Sequence, residues 1–109
     1  MSKTTYELVF DQRLQIRKPL LHVDYEELSL EEQEQFEWLC QEICAEIPPR
    51  IQELEAIYMK SFEVLYFAED DATFFQLTTE MNELSCLIAD LNVLFLHIEG
   101  KFIQTSVHA

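Results

Sequence analysis

The regular spacing of apolar residues in the last third of the chain limits the possible folds more than any other feature. Between Asp71 and Gly100, apolar residues recur in steps of three and four without a miss. The members of this seam are Phe74, Leu77, Met81, Leu84, Ile88, Leu91, Phe95 and Ile98. Such steps place side chains on one face of an α-helix that packs along another helix. The seam predicts a helix over about residues 72–99, which Asp70 or Asp71 caps and Gly100 ends.

The segment before this helix repeats the same rhythm. Its members are Ile51, Leu54, Tyr58, Ser61, Leu65 and Ala68. The rhythm predicts a second helix over about residues 49–69. Only a short polar break, Glu69 to Asp71, separates the two helices. Because short links force helices to lie antiparallel, we expect residues 49–69 and 72–99 to form a helical hairpin.

A third helix is predicted over about residues 30–47. Ser29 and Glu32 form a capping box, in which the serine caps the helix and the glutamate follows three residues later. Two prolines, Pro48 and Pro49, end the pattern. Proline disfavours helical geometry in the residue before it and lacks a backbone donor, but it is accepted at a helix start. We therefore expect one helix to end and the next to begin here, at a sharp corner.

The first 23 residues fit two structures. The apolar residues Tyr6, Leu8, Phe10, Leu14 and Ile16 all occupy even positions, which is typical of a strand. Yet the segment 4–7 also matches a capping box, so a short extra helix is the alternative. We favour an extended arm over residues 1–23, with residues 102–107 as a second strand that pairs with it.

The single glycine argues against a many-stranded β fold, because turns between strands usually need glycine. A chain of 109 residues suits one globular domain. The sequence therefore predicts a mainly α protein, an antiparallel bundle of three to four helices. Residues 24–109 form the bundle domain, and residues 1–23 form the N-terminal arm.

The charge of the chain limits its partners. The net charge is −14, and residues 24–99 contain nineteen acidic and only two basic side chains. Such a body repels nucleic acid and anionic membrane surfaces, so a basic protein is the better candidate partner. We find no apolar run as long as a membrane span and no signal peptide at the N-terminus. With an odd number of cysteines, these features favour a cytoplasmic protein with reduced thiols.

No motif in the sequence indicates a catalytic or cofactor-binding centre. Cys40 and Cys44 share one helix face, and Cys86 lies on another helix. Structural zinc needs four ligands, usually in close pairs, so buried core cysteines are the better interpretation. There is no phosphate-binding glycine loop, nucleophile elbow or zinc-binding His-Glu-x-x-His. We expect no metal or cofactor, and we predict no catalytic residue. The absence of these motifs favours a binding protein over an enzyme.

The aromatic residues around the polar break have two interpretations. They either form a plug over the core or form an exposed patch that binds a protein. In addition, Leu87 and Leu94 widen the apolar stripe beyond what one neighbouring helix covers. The partner-binding residues predicted on this basis are Phe62, Tyr66, Phe67, Phe75, Leu87 and Leu94.

Two functions follow as hypotheses. The first is a non-catalytic protein–protein interaction module, a small regulatory or adaptor protein that pairs two helical hairpins into a homodimeric bundle. The alternative is an acidic inhibitor that mimics nucleic acid or occupies the basic groove of a partner protein.

Overall fold

A β-hairpin followed by two long helices makes up the computed structural model, which describes residues 4–103. Strand β1, Tyr6–Asp11, pairs antiparallel with strand β2, Ile16–Leu21. A 3-10 helix, Tyr25–Glu27, leads to helix α1, Leu30–Tyr66. Helix α2, Asp71–Ile98, continues into a π-helical turn, Glu99–Ile103. The chain is thus mainly helical, as the sequence predicts, but the predicted bundle of three to four helices is wrong.

The predicted helices 30–47 and 49–69 are one continuous helix. Helix α1 runs through Pro48 and Pro49 without ending. The reason lies in its apolar stripe, which keeps its phase across the prolines because Ile47 and Ile51 are four residues apart. The stripe consists of Phe36, Cys40, Ile43, Ile47, Ile51 and Leu54, all buried or half-buried. Burial of one continuous stripe outweighs the proline penalty of about 3 kcal/mol.

The helix starts and the antiparallel arrangement agree with the sequence prediction. Ser29 Oγ accepts a hydrogen bond from the Glu32 amide at 3.1 Å, and Glu32 Oε1 accepts one from the Ser29 amide at 3.0 Å. Asp70 caps α2 by accepting a hydrogen bond from the Thr73 amide at 2.9 Å. The ring of Phe36, near the start of α1, lies 4.9 Å from the ring of Phe102, beyond the end of α2. The two helices therefore run in opposite directions.

Gly100 does not end α2 in a left-handed conformation, so that prediction is wrong. Among the described residues no glycine has a positive φ, and Gly100 lies within the π-helical turn. The continued turn carries Phe102 into the core, where its ring packs edge-to-face on Phe36. This aromatic burial favours continuation of the helix over a glycine cap.

The N-terminal segment is extended, as favoured, but its partner is wrong. Strand β1 pairs with β2 rather than with residues 102–107. Residues 102 and 103 belong to the π-helical turn, and residues 104–107 lie outside the described part of the chain, as do residues 1–3 and 108–109. The strands are joined by a turn in which the Asp11 side chain accepts a hydrogen bond from the Leu14 amide at 2.8 Å. Gln15 adopts a positive φ of 59° there.

The core occupies one end of the molecule. Its members are Leu14, Ile16, Leu28, Phe36, Cys40, Ile43, Cys44, Ile47, Leu54, Leu91, Ile98 and Phe102. We call residues 4–54 and 84–103 the base, and residues 55–83 the arm. This helical arm is a different segment from the N-terminal arm predicted over residues 1–23. The arm contributes one buried residue, Met81, and it lies outside this core. The radius of gyration is 18.6 Å, against about 13 Å for a compact domain of 100 residues, so the arm projects from the base.

Candidate interaction surface

The arm exposes most of its large apolar side chains. Tyr66, Phe67 and Phe75 at its tip are 80%, 77% and 73% exposed. The other exposed large apolar residues of the arm are Ile57, Met59, Phe62, Val64 and Phe74. Contiguous apolar surface of this kind is uncommon on monomeric proteins and marks interaction sites. The arm is therefore the candidate functional surface.

The β-hairpin lies on one side of the helix pair and packs mainly on the base, although Arg13 also lines a pocket with Thr79, Asn82 and Glu83 of the arm. Arg50 Nε donates a hydrogen bond to the Leu14 carbonyl at 3.1 Å, and Arg17 pairs with Glu46 on α1. Arg13 Nη1 lies 2.7 Å from Asp90 Oδ2 on α2. These contacts hold the hairpin on one side of both helices. The helix side that carries Arg50 and Asp90 is thus partly covered, and the other side is not.

A groove runs between the helices on the uncovered side. It has a volume of about 470 Å³ and is lined by Glu55, Tyr58 and Met59 of α1 and by Ser85, Ile88, Ala89 and Asn92 of α2. Glu55 and Met59 each follow a hairpin-contacting residue, Glu46 and Arg50, by nine residues. Nine residues are about two and a half helical turns, which places the groove opposite the hairpin.

The groove continues along the arm as a single surface, because residues three, four or seven apart share a helix face. We call this surface the open face. It consists of Glu55, Tyr58, Met59, Phe62 and Tyr66 on α1 and of Phe74, Thr78, Ser85, Ile88, Ala89 and Asn92 on α2. Glu55 is its one charged member. In a chain with a net charge of −14, such a surface is poor in charge and rich in aromatic rings.

The predicted partner-binding residues fall into two groups. Phe62, Tyr66, Phe67 and Phe75 lie in the arm, each more than half exposed, so these rings do not form a plug over the core. Among them, Phe62 and Tyr66 belong to the open face. Phe67 lies in the link between the helices, and Phe75 is exposed on α2 outside the open face. Whether any of them contacts a partner stays a prediction.

Leu87 and Leu94 occupy a different environment. Both are half-buried and pack against the core of the base. Leu94 also lines a cavity with Arg13 and Lys18 of the hairpin. The hairpin thus covers part of the wide apolar stripe to which Leu87 and Leu94 belong. Met59 was not among the predicted partner-binding residues, although its spacing of three and seven residues from Phe62 and Tyr66 is that of a helical stripe.

The two cysteines of α1 lie in the core of the base. Cys40 and Cys44 are buried, and Cys86 is exposed on α2. Burial, with smaller contributions from Cys44 and Glu37, raises the pKa of Cys40 to about 12. Burial, with a smaller contribution from Glu99, also raises the pKa of Cys44. Protonated thiols are poor ligands and nucleophiles at neutral pH. Within residues 4–103, no three His, Cys, Asp or Glu residues are grouped so as to hold a metal ion.

One helical stretch of the described chain has the length and composition of a membrane span. It is Asp71–Phe102, with a mean hydropathy of 1.3 in its most apolar window, of which 17% is buried. The expectation that no segment approaches a span is therefore wrong on these two criteria. One such helix is weak evidence for a membrane. The finding does show that α2 carries more apolar surface than the chain covers.

Comparison with known proteins gives no relationship. The chain matches no protein-family model, and no curated protein or solved structure is significantly similar to it. Its function is therefore inferred from the exposed surface and the charge.

Proposed function

We propose that this chain is a non-catalytic protein–protein interaction module, of the regulatory or adaptor type, that acts as a homodimer. The observation that carries the proposal is the exposed aromatic and aliphatic surface of the arm. Each Å² of apolar surface removed from water contributes about 25 cal/mol, so association of two arms has a substantial driving force.

The structure of the arm supports the same proposal. In the arm, α1 and α2 contact each other without the hairpin that covers them in the base. Helices in proteins owe most of their stability to the packing of an apolar face. A two-helix layer buries one narrow seam per helix, whereas a four-helix bundle buries a wide stripe. A partner that supplies two further helices would complete the arm.

The test is the mass of the protein in solution. Sedimentation equilibrium from micromolar to submillimolar concentration should give twice the chain mass of 12.9 kDa. The apparent mass should fall towards 12.9 kDa on dilution, as mass action requires. A mass that stays at one chain over the whole range would contradict the homodimer.

A second candidate function, an acidic inhibitor of a basic protein, is favoured by the charge of the base. Residues 24–54 contain ten acidic side chains and one basic side chain, Arg50, for a net charge of −9. Four cationic side chains of the base, those of Arg13, Arg17, Lys18 and Arg50, already pair with carboxylates. The net negative charge that remains would attract a basic groove and would disfavour nucleic acid and anionic lipid as direct partners.

This second candidate is tested with a lysine-rich peptide as a probe. Fluorescence anisotropy should show binding that weakens steeply as the salt concentration rises, because exposed charges are screened beyond roughly 10 Å at 0.1 M salt. A peptide of the same length with glutamine in place of lysine is the control. Absence of binding at low salt, or binding that does not depend on salt, would remove this candidate.

A further inference from the structure

We infer that the open face is covered by the open face of a second copy of this chain, so that two arms form a four-helix bundle. This inference rests on the proposed homodimer and goes beyond it by naming the surface. It also places α1 of each copy on α2 of the other. Three properties of the open face favour a second copy over another occupant.

The first property is charge. Two chains that each carry a net charge of −14 repel each other, so they can approach closely only where charged side chains are sparse. On α2, the open-face residues from Phe74 to Asn92 include no charged side chain. On α1, Glu55 is the only one, and it lies at the end of the face nearest the base. A basic partner would gain nothing from this surface, whereas an identical chain avoids repulsion here.

The second property is shape. At the groove, the α1 side of the open face carries the large residues Tyr58 and Met59, whereas α2 presents the small residues Ser85 and Ala89. A two-fold axis parallel to the arm places Tyr58 and Met59 of each copy over Ser85 and Ala89 of the other. The surface is then complementary to itself, which is the requirement of an isologous dimer.

The third property is area. The open face extends over 19 residues of α2, from Phe74 to Asn92, and the 18 steps between them span about 27 Å at 1.5 Å per residue. Two helices side by side are roughly 20 Å wide. The flat projection is on the order of 500 Å², and protruding side chains increase the accessible area above that value. Stable interfaces bury about 800 Å² per partner, so the face has the size of a small stable interface.

The β-hairpin does not obstruct this arrangement. It contacts the opposite side of the helix pair through Arg50 and Asp90. In the dimer both hairpins would therefore lie on the outside, and each base would keep the core that it has in the single chain.

The experiment compares two substitutions on one helix by sedimentation equilibrium. Phe62 belongs to the open face and is 52% exposed, whereas Val64 is 50% exposed and lies about 160° around α1, on the side of Arg50. Phe62→Glu would bury two unpaired carboxylates per dimer and should raise the dissociation constant at least about 100-fold. Val64→Glu should change it less than about threefold. Because both side chains are exposed in one chain, both variants should keep the helical circular dichroism of the unsubstituted protein.

Each outcome separates the inference from the proposed function. If the unsubstituted protein is a monomer throughout, the homodimer itself fails. If it is a dimer that Val64→Glu dissociates and Phe62→Glu does not, the homodimer stands and the open face is the wrong surface. Equal effects of the two substitutions would also overturn the choice of face.

Cross-linking between differently tagged copies tests the arrangement of helices. One copy carries Met59→Cys and the other Ser85→Cys, both with the exposed Cys86 replaced by serine. A short bismaleimide should join the two tags, and a Val64→Cys copy in place of Met59→Cys should not be joined. Failure of the first pair in a proven dimer would overturn the placement of α1 on α2.

Neutral phosphatidylcholine vesicles test lipid as an alternative occupant. The unsubstituted protein should not float with these vesicles in a density gradient. Flotation that Phe62→Glu abolishes would mean that lipid covers the open face, and it would overturn the inference.

Discussion

The base and the arm are built on the same two helices, yet only the base has a third layer. In the base, the hairpin lies across the helix pair, and Phe36, Ile43 and Leu91 are completely buried. In the arm, the equivalent seam residues Leu65 and Leu77 stay half-buried. A seam with regular spacing therefore pairs two helices, but it does not make a core until a further element covers its flanks.

This difference separates the sources of stability in the two regions. The base closes a buried core within one chain, although Trp38, Val93 and Leu96 stay exposed on its surface. The arm leaves a wide apolar surface exposed, which a second copy would cover. Substitutions of the same chemical kind should therefore have unequal effects in the two regions.

The largest expected contrast is between two phenylalanines. Phe36→Ala in the base should lower the free energy of unfolding by about 3–5 kcal/mol, because it leaves a cavity in a closed core. Phe67→Ala at the tip of the arm should change it by less than about 0.5 kcal/mol, because its ring is 77% exposed. Urea denaturation followed by circular dichroism, at one protein concentration, measures both. Equal losses would mean that the tip is buried in solution.

The prolines of α1 should lower the free energy of unfolding of the base. Pro48→Ala restores a backbone donor to the middle of a continuous helix, so it should raise the free energy of unfolding, by up to about 3 kcal/mol. Gln52→Ala, one turn further along the same helix, is the control and should change the stability by less than about 0.5 kcal/mol. Thermal and urea denaturation provide the measurement. A loss of stability in Pro48→Ala would show that the fold needs the proline.

Alkaline pH should weaken the base before it affects the arm. Burial, together with Glu37, raises the pKa of Tyr25 to about 12, and burial raises the pKa of Cys40 to about 12. A raised pKa means that the unfolded chain releases its protons first, so stability is complete below about pH 9 and declines from there to about pH 12. The Cys40 contribution to this loss should be on the order of 2 kcal/mol by about pH 11.

The control for the alkaline prediction is Cys40→Ala, compared with the unsubstituted protein at pH 8 and at about pH 11. The substitution should reduce the pH dependence of the urea midpoint, even though it lowers stability at both values.

At neutral pH, the exposed Cys86 should react with a thiol reagent well before Cys40 and Cys44 do. Fast reaction of all three thiols would contradict the closed core of the base.

The smallest expected contrast is between two helix caps of similar chemistry. Ser29 caps α1 in the base, and Asp70 caps α2 at the tip of the arm. Ser29→Ala should lower the global free energy of unfolding by about 1 kcal/mol. Asp70→Ala should mainly increase hydrogen exchange of the amides near residues 71–74, with little change in the global value. A global loss for Asp70→Ala equal to that for Ser29→Ala would show that base and arm unfold as one unit.

The sequence was sufficient to predict what depends on local spacing. The seam from Phe74 to Ile98 and the caps at Ser29 and Asp70 are present in the structure, because steps of three and four and capping side chains act over one or two turns. The prediction failed at Pro48 and Pro49, where a local rule competed with burial on both sides. The step of four from Ile47 to Ile51 was the signal that the stripe continues.

The β-hairpin shows why the open face could not be predicted. Its turn contains no glycine or asparagine, and Gln15 takes the positive φ that a hairpin signature assigns to those residues. The side of the helix pair that the hairpin covers depends on contacts such as that of Arg13 with Asp90, which are 77 residues apart. The identity of the uncovered side follows only from such long-range contacts.

Hydrogen–deuterium exchange at two protein concentrations tests the contrast between base and arm most directly. Because a second copy covers the arm in this account, amides of residues 55–83 should exchange more slowly at the higher concentration. Amides of residues 36–47 in the base should exchange at the same rate at both concentrations. Exchange in the arm that does not change with concentration would contradict the account.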